Sequence, residues 1–192
     1  MSGAGKSVDG VPYKIACLCE VRDAEGRVLL LHRRRPPNRD LYSPIGGKLE
    51  QREGESPTAC ALREIREEAG LELAAEDLHL LGIVSERAFC AEDDGETTHW
   101  LMFWFRVVPA VDPASVPSSF EEGTLEWFGE SELEGLPLPA TDREAIWPAV
   151  RAHSRGAALG FFALHLDCDG GASPRVRVEQ SWMPGVDAGS RH

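Results

Sequence analysis

The alternation of apolar and polar positions near the start of the chain predicts two β-strands. Tyr13–Val21 is typical of one strand, and the aliphatic run in Arg27–His32 predicts a second. Asp23–Gly26 has the composition of a turn, so we expect the two strands to form a hairpin within a sheet. The following segment Leu41–Gly54 contains three glycines and one proline and is predicted to be a loop.

The next segment, Pro57–Ala69, has the pattern of an amphipathic helix. Residues that commonly begin and end helices bracket it, namely Ser56, Pro57 and Gly70. Small or apolar residues recur at helical spacing and are expected to face a core: Thr58, Leu62, Ile65 and Ala69. A different face is acidic and is formed by Glu64, Glu67 and Glu68.

Two longer strands are predicted in the middle of the chain. Leu78–Phe89 and His99–Val108 have strand patterns, and the acidic segment Glu92–Glu96 between them is predicted to be a turn. The second strand is apolar on both faces, which indicates a central position in the sheet. Its aromatic residues are therefore expected to lie in the core: Phe103, Trp104 and Phe105.

The last part of the chain predicts a short strand, a helix and a hairpin. Glu126–Phe128 is the short strand, and Thr141 with Glu144 suggests a capping box at the start of a second helix. Pro148 is expected to kink or shorten that helix. The hairpin is predicted from two segments around a glycine-rich turn, Gly160–Cys168 and Arg175–Gln180.

These elements predict an α/β (α+β) sandwich with a mixed sheet packed between helices. A chain of 192 residues suits one domain. We expect a flexible tail at residues 1–10, a single domain with a C-terminal hairpin extension at residues 11–182, and a second flexible tail at residues 183–192.

Composition and charge narrow the classes of partner. The net charge of −12 argues against binding of nucleic-acid polymers, which requires a basic surface. No apolar run is long enough to cross a bilayer, so no membrane partner is expected, and residues 1–10 do not resemble a secretory signal. We therefore expect a cytoplasmic protein. Its five cysteines form no CxxC pair and are expected to be reduced.

The acidic helix face indicates the chemistry. Residues three and four apart are neighbours on a helix, so Glu64 lies beside both Glu67 and Glu68. Each exposed pair of like charges costs about 0.2–0.5 kcal/mol, a cost that a bound divalent cation would reverse. Oxygen ligands suit Mg²⁺ first and Mn²⁺ second, whereas Zn²⁺ favours His and Cys. Arg63, four residues before Glu67, can hold a carboxylate in place or merely dilute the charge.

At these residues the chain resembles the Nudix hydrolases, the family that includes the MutT-like enzymes. The family signature is Gly, five residues, Glu, seven residues, and then Arg-Glu-U-x-Glu-Glu-x-Gly-U, where U is a bulky aliphatic residue. Arg63–Leu71 matches the second half at every specified position, and Glu55 stands at the required spacing before it. Seven residues instead of five separate Gly47 from Glu55, which indicates an insertion of two residues in the loop.

The resemblance implies a Nudix fold, a Mg²⁺ site and a set of catalytic residues. The metal ligands would be Glu64, Glu67, Glu68 and a carbonyl of Gly46 or Gly47. Glu64 would also be a candidate base for the attacking water, alongside Glu67 and Arg63 in the catalytic set. Glu122 is the candidate for a further ligand from a later loop, with Glu121 as its competitor.

Other residues are candidates for substrate binding. Lys48 and the arginine run at residues 33–35, with Arg34 in its middle, can offset phosphate charge, although such runs are commonly solvated. Asp142 can bind the edge of a base, or it can have only the electrostatic role that suits the first turn of a helix.

The predicted activity is Mg²⁺-dependent cleavage of the diphosphate linkage in a small phosphorylated nucleotide. The leading substrate is an ordinary or oxidised nucleoside triphosphate such as 8-oxo-dGTP. ADP-ribose, a dinucleotide polyphosphate and a nucleotide sugar are alternatives. Rival classes are a non-catalytic nucleotide sensor and an isoprenyl diphosphate isomerase, which would require an active-site cysteine, and Cys90 has no supporting motif. The sequence leaves the oligomeric state open.

Overall fold

The computed structural model describes residues 13–90, 97–155, 158–169 and 173–184. The helices are α1 (Pro57–Ala69) and α2 (Trp147–His153), and a π-helical turn at Asp142–Ile146 precedes α2. The strands are β1 (Tyr13–Glu20), β2 (Val28–Arg33), β3 (Tyr42–Ser43), β4 (Ile45–Lys48), β5 (Leu78–Cys90), β6 (Thr97–Val107), β7 (Ser119–Phe120), β8 (Gly123–Phe128), β9 (Ser154–Arg155), β10 (Ala158–Leu159), β11 (Phe161–Asp167) and β12 (Arg175–Trp182). The predicted turn Glu92–Glu96, the tail at residues 1–10 and residues 185–192 lie outside the described residues.

Two main sheets form the framework. The larger sheet is mixed and has the order β12-β11-β5-β6-β1-β4, with β6 parallel to β1 and β11 parallel to β5. The smaller sheet is antiparallel, in the order β3-β2-β8-β7. The central position predicted for β6 is confirmed, and Trp104 and Phe105 are buried in the core as expected.

The predicted hairpin of the first two strands is confirmed only at its turn, where Arg22 and Val28 form an antiparallel bridge, and it does not continue along β1 and β2. β1 pairs with β6 on one edge and with β4 on the other, so both of its edges are occupied within the larger sheet. β2 instead lies in the smaller sheet, between β3 and β8. The turn between them is nevertheless present, since the backbone N–H of Gly26 donates to the carbonyl of Asp23.

The larger sheet lies between the two helices, as predicted. Alternate residues of a strand face opposite sides of a sheet. Cys17 and Cys19 of β1 therefore belong to a core cluster that also contains Ile65 of α1. Ala16 faces the opposite side and belongs to a second cluster, which includes Trp147 of α2. The sheet thus holds α1 on one face and α2 on the other.

The local signals predicted α1 correctly and the second helix only in part. The Ser56 hydroxyl accepts a hydrogen bond from the Ala59 N–H, and Gly70 ends α1 in the left-handed conformation. Thr141 makes no capping bond, so the predicted capping box is wrong. The Thr141 side chain instead lies near Glu86 of β5 and opposes the rise in the pKa of Glu86 that burial causes. Pro148 lies in the first turn of α2, directly after the wider π-helical turn, and does not end the helix.

The C-terminal hairpin is confirmed. β11 and β12 pair in antiparallel fashion from Phe161↔Trp182 to Asp167↔Arg175. Every residue of β12 is exposed, so this strand extends the sheet edge without covering the core. No helix in the described ranges is long and apolar enough to cross a membrane.

Candidate active site

Two glycines allow β4 to approach its neighbours closely. Their segment was predicted to be a loop, but it pairs with β1 over Cys19↔Ile45 to Ala16↔Lys48. Gly46 has a φ of +140°, and a Cβ there would overlap the Cys17 carbonyl oxygen. A Cβ on Gly47 would overlap the Glu64 carboxylate. The glycine pair therefore brings the backbone of β4 against the acidic face of α1.

Arg63 organises that face. Its Nε and Nη2 donate to the two carboxylate oxygens of Glu55 at 2.9 and 3.0 Å, in a bidentate pair. Its Nη1 donates to Glu64 Oε1 at 2.7 Å, and Nη2 also reaches the Lys48 carbonyl at 3.1 Å. The Arg63 guanidinium lowers the pKa of Glu55. One arginine thus joins the loop before α1, the end of β4 and the helix.

The two extra residues of the signature loop are accommodated locally. Gln51–Glu53 form a 3₁₀ turn that ends at Gly54, whose φ is +67°. The Glu55 carboxylate accepts a hydrogen bond from the Glu50 N–H at 2.8 Å and closes the loop. Residues 50–54 are exposed, and Glu55 keeps its contact with Arg63.

Two glutamates of α1 are held in desolvated surroundings. Glu68 is 5% exposed, and its Oε2 accepts a hydrogen bond from the Gly46 N–H at 2.8 Å. Burial raises the pKa of Glu68 to about 8, with further increases from Glu64 and Glu122 that the Gly46 N–H opposes. Burial also raises the pKa of Glu64, against the hydrogen bond from Arg63. Both carboxylates are therefore in an environment that favours an added positive charge.

These residues line a cavity of about 430 Å³, a size typical of small-molecule sites. Glu64, Glu68, Glu122, Gly46 and Gly47 all contribute to its wall. The competing Glu121 lies elsewhere, because its carboxylate pairs with Arg35 at 2.8 Å and is 78% exposed. The structure thus brings Glu122, and not Glu121, to the glutamates of α1.

The remaining residues that the sequence predicted to bind substrate or metal lie partly in the cavity wall and partly on the surface. Lys48 and the buried Asp142 line the cavity. Arg34 is exposed and is not part of the lining, whereas its neighbour Arg33 is, with its Nη2 at 3.9 Å from Glu122 Oε2. Glu67 is also outside the lining, and its 52% exposed carboxylate lies 3.3 Å from Arg63 Nη1.

The oxygen donors of this site have the chemistry that a hard divalent cation requires. In this structure, however, they are not arranged as a complete set of metal ligands. Carboxylates on α1 face a backbone carbonyl on β4, and all the donors are oxygen, which is what Mg²⁺ prefers. Among the described residues, no group of three His, Cys, Asp or Glu side chains is positioned to hold a metal ion. Cation binding would therefore require new rotamers, and the exposed Glu67 is the side chain with the most freedom to turn.

The sequence-based reasoning missed part of the cavity wall. Glu86, Trp100 and Thr141 all line the cavity beside Asp142. For Glu86 a signal was available in the strand pattern. It lies two residues after Val84 and therefore shares a strand face with an apolar, core-facing position, where a carboxylate is unusual.

Together, the mixed sheet between two helices and the arginine-anchored glutamate helix define a Nudix pyrophosphohydrolase. The model of the NUDIX domain matches residues 12–151, and the chain belongs to this family. Nudix hydrolases act on nucleoside diphosphate derivatives and generally use a divalent metal ion.

Relatives of this chain occur in several organisms. It is 32% identical to the uncharacterised Nudix hydrolase YvcI of Bacillus subtilis over 123 residues, which are 64% of this chain and 70% of the relative. A mutator MutT protein from Bacillus halodurans superimposes with a TM-score of 0.61 at 29% identity, covering 85% of this chain and 97% of that one. A MutT protein from Methanosarcina mazei Go1 has a TM-score of 0.60 at 25% identity, covering 78% and 100%.

Proposed function

We propose that this protein hydrolyses the diphosphate linkage of a nucleoside triphosphate, ordinary or oxidised, with Mg²⁺ as its metal ion and Mn²⁺ as a substitute. The observation that carries the proposal is the joint lining of one cavity by Glu64, Glu68 and Glu122 beside Gly46 and Gly47. Oxygen donors favour Mg²⁺ or Mn²⁺ over Zn²⁺. The similarity to two MutT proteins supports a hydrolase of this family.

The metal would be held by Glu64, Glu67, Glu68 and Glu122, together with a carbonyl of Gly46 or Gly47. When bound, it would neutralise phosphate oxygens and lower the pKa of the attacking water. Glu64 is the proposed base, because burial raises its pKa and so increases its affinity for a proton. Arg63 holds the Glu64 carboxylate in place through the bond from its Nη1. Lys48 and Arg33 of the cavity wall offset the charge of the phosphates.

Experiment can distinguish the proposed triphosphate from the alternative substrates, and a hydrolase from a non-catalytic nucleotide sensor. ADP-ribose, dinucleotide polyphosphates and nucleotide sugars carry the same linkage but differ in the group beyond it. A non-catalytic sensor would bind a nucleotide without cutting it. The complete set of signature carboxylates, held by Arg63 and Gly46, favours the enzyme over the sensor.

The deciding experiment separates and identifies the cleavage products of nucleoside triphosphates, 8-oxo-dGTP, ADP-ribose, dinucleotide polyphosphates and nucleotide sugars. Triphosphates release pyrophosphate or phosphate, whereas the other compounds split into two organic phosphates. Each is assayed with Mg²⁺, with Mn²⁺ and with a chelator. We expect metal-dependent cleavage of a triphosphate, a loss of at least about 100-fold in Glu64→Gln, and wild-type rates in Glu72→Gln, an exposed carboxylate just after α1. Tight binding of a nucleotide with no cleavage under any condition would establish the sensor instead.

A further inference from the structure

A second cavity lies outside the candidate active site. It has a volume of about 570 Å³, and within the described residues it shares no lining residue with the first cavity. Three arginines from separate parts of the fold contribute to its wall. Arg22 lies between β1 and β2, Arg106 lies on β6, and Arg151 lies on α2. The proposed hydrolysis gives these arginines no role.

Two of the arginines are held together by one buried carboxylate. Glu20 of β1 is fully buried, and its Oε1 accepts hydrogen bonds from Arg22 Nε and Arg106 Nη1, both at 2.7 Å. Arg106 is also the register partner of Glu20 on β6. Glu20 is not part of the cavity lining. One negative charge outside the lining therefore faces two positive charges that are part of it.

These two positive charges are poorly solvated. The side chains of Arg22 and Arg106 are only 11% and 15% exposed. Burial lowers the pKa of Arg106, Glu20 opposes this change, and the nearby charge of Arg22 adds to it. A negative charge close to a desolvated cation favours its charged form. An anion in the cavity would therefore stabilise this pair of arginines.

Arg151 brings a third guanidinium to the cavity. Its Nη1 donates to Glu134 Oε1 at 2.9 Å, but the Glu134 side chain is 76% exposed, and exposed ion pairs are weak. Its Nε is buried and donates no hydrogen bond to any residue in the described ranges. A buried N–H group without an acceptor is unfavourable. Arg151 therefore keeps a donor that a ligand can use.

The two acids of the wall do not neutralise the arginines tightly. Asp23 is bound to Arg27, whose Nε and backbone N–H donate to it at 2.6 and 2.8 Å. Glu130 Oε2 lies 3.5 Å from Arg22 Nη1, and Glu130 Oε1 lies 3.7 Å from Arg151 Nε. Both distances exceed the roughly 2.7–2.9 Å of a charge-assisted hydrogen bond. Glu130 thus spans two arginines loosely, and its 47% exposed side chain is free to turn into solvent.

We propose that this cavity binds a small phosphate-type oxyanion, such as inorganic phosphate or pyrophosphate, between Arg22, Arg106 and Arg151. Guanidinium groups match the oxygens of a phosphate with pairs of parallel N–H donors. A phosphate is larger than a carboxylate and carries oxygens in three dimensions, so it can contact arginines that Glu130 reaches only loosely. The bound anion would displace the Glu130 carboxylate. This site is separate from the glutamates of α1 and does not depend on the proposed hydrolysis.

Calorimetric titration of the full-length protein tests the proposal. Inorganic phosphate, pyrophosphate and acetate are titrated at neutral pH in buffer passed over a chelating resin, so that no metal ion links a phosphate to the glutamates of α1. We expect at least one of the two phosphates to bind with a Kd at or below about 1 mM, and acetate not to bind. No binding of either phosphate up to about 10 mM, or equal binding of acetate, would overturn the proposal.

Two variants with opposite expected effects locate the site. Arg151→Gln removes one guanidinium and should weaken phosphate binding at least about tenfold, because hydrogen bonds to charged groups are the stronger kind. Glu130→Gln removes the competing carboxylate and should strengthen binding about threefold or more. Both side chains are partly exposed, so we expect both variants to fold. Unchanged affinity in both folded variants would overturn the proposal.

Matched charge changes elsewhere are the controls. Arg177→Gln, on the exposed strand β12, and Glu72→Gln, just after α1, lie outside the cavity lining and should bind phosphate like the wild type. An effect of Arg177→Gln as large as that of Arg151→Gln would show a general effect of net charge and overturn the site. Lys48→Gln changes the first cavity instead. Loss of binding in Lys48→Gln, with wild-type affinity in Arg151→Gln, would place the anion there and equally overturn the proposal.

Discussion

Arg63 and Glu55 form a bidentate ion pair, with Nε···Oε1 and Nη2···Oε2 distances of 2.9 and 3.0 Å. Glu55 directly follows the signature loop that contains the two-residue insertion, and the pair ties the end of that loop to α1. The same guanidinium also donates to Glu64. The position of Glu55 at the end of the loop therefore influences the position of the Glu64 carboxylate on the acidic face of α1. The insertion therefore leaves the candidate site assembled.

Arg63→Lys tests this organising role. A lysine keeps the charge but cannot donate in a fork, so Glu55 and Glu64 can no longer be held together. We expect kcat to fall by about 10–100-fold and the free energy of unfolding to fall by about 1–3 kcal/mol. Steady-state kinetics and urea unfolding measure the two effects. Arg66→Lys, an exposed change on the same helix, is the control, and equal kinetics in both variants would refute the role.

Glu67→Gln separates a metal-binding role from a structural one. The carboxylate is 52% exposed, and the ion pair that it forms with Arg63 at 3.3 Å is expected to contribute less than about 1 kcal/mol. Turnover should therefore fall strongly, while the free energy of unfolding measured in chelator stays within about 1 kcal/mol of wild type. Loss of stability with unchanged turnover per folded molecule would instead make Glu67 a structural residue.

Gly47→Ala tests the close approach of β4 to α1. The new Cβ would overlap the Glu64 carboxylate and force that side chain to move. We expect a loss of turnover of at least about tenfold in a protein that still folds, since a displacement of this kind changes catalytic geometry. Gly135→Ala, where a Cβ meets nothing within 4 Å, is the matched control and should be indistinguishable from wild type. Wild-type turnover in Gly47→Ala would contradict the assignment of Glu64.

The dependence of stability on pH tests the burial of Glu86. The folded-state pKa of about 8 lies above the ordinary 4.5, so the stability associated with the neutral form is fully present below pH 4.5. It is lost as the pH rises towards about 8, because the unfolded chain ionises Glu86 across this window while the folded protein keeps it protonated. Relative to Glu86→Gln, the wild type should lose up to about 1.4 kcal/mol per pH unit across this window.

Urea unfolding of both proteins in chelator, at intervals between about pH 5 and about pH 8, measures this difference. Asp77→Asn, a carboxylate away from the cavity, controls for a general charge effect. Parallel curves for the wild type and Glu86→Gln would show that Glu86 titrates normally in the folded protein.

The local parts of the fold were predictable from the sequence. The boundaries of α1, its caps and its acidic face depend on residues within a few positions of one another, so periodicity and capping chemistry were sufficient. The C-terminal hairpin was predictable for the same reason. The pairing of the first two strands was predicted correctly only beside their turn, since a short turn says nothing about competition from β4 and β6 for the edges of β1.

The sequence by itself determined the acidic helix, the glycine pair, the Arg63 spacing and the resemblance to the Nudix hydrolases. Only the tertiary structure decided which later carboxylate joins that helix, that Arg33 lines the cavity instead of Arg34, and that Glu86 meets Asp142. The residues that are neighbours on a helix follow from their spacing in the sequence, because residues three and four apart lie side by side. Contacts between residues more than 50 positions apart depend on strand order, on one bulge in β5 and on the turn before α2, which no local pattern encodes.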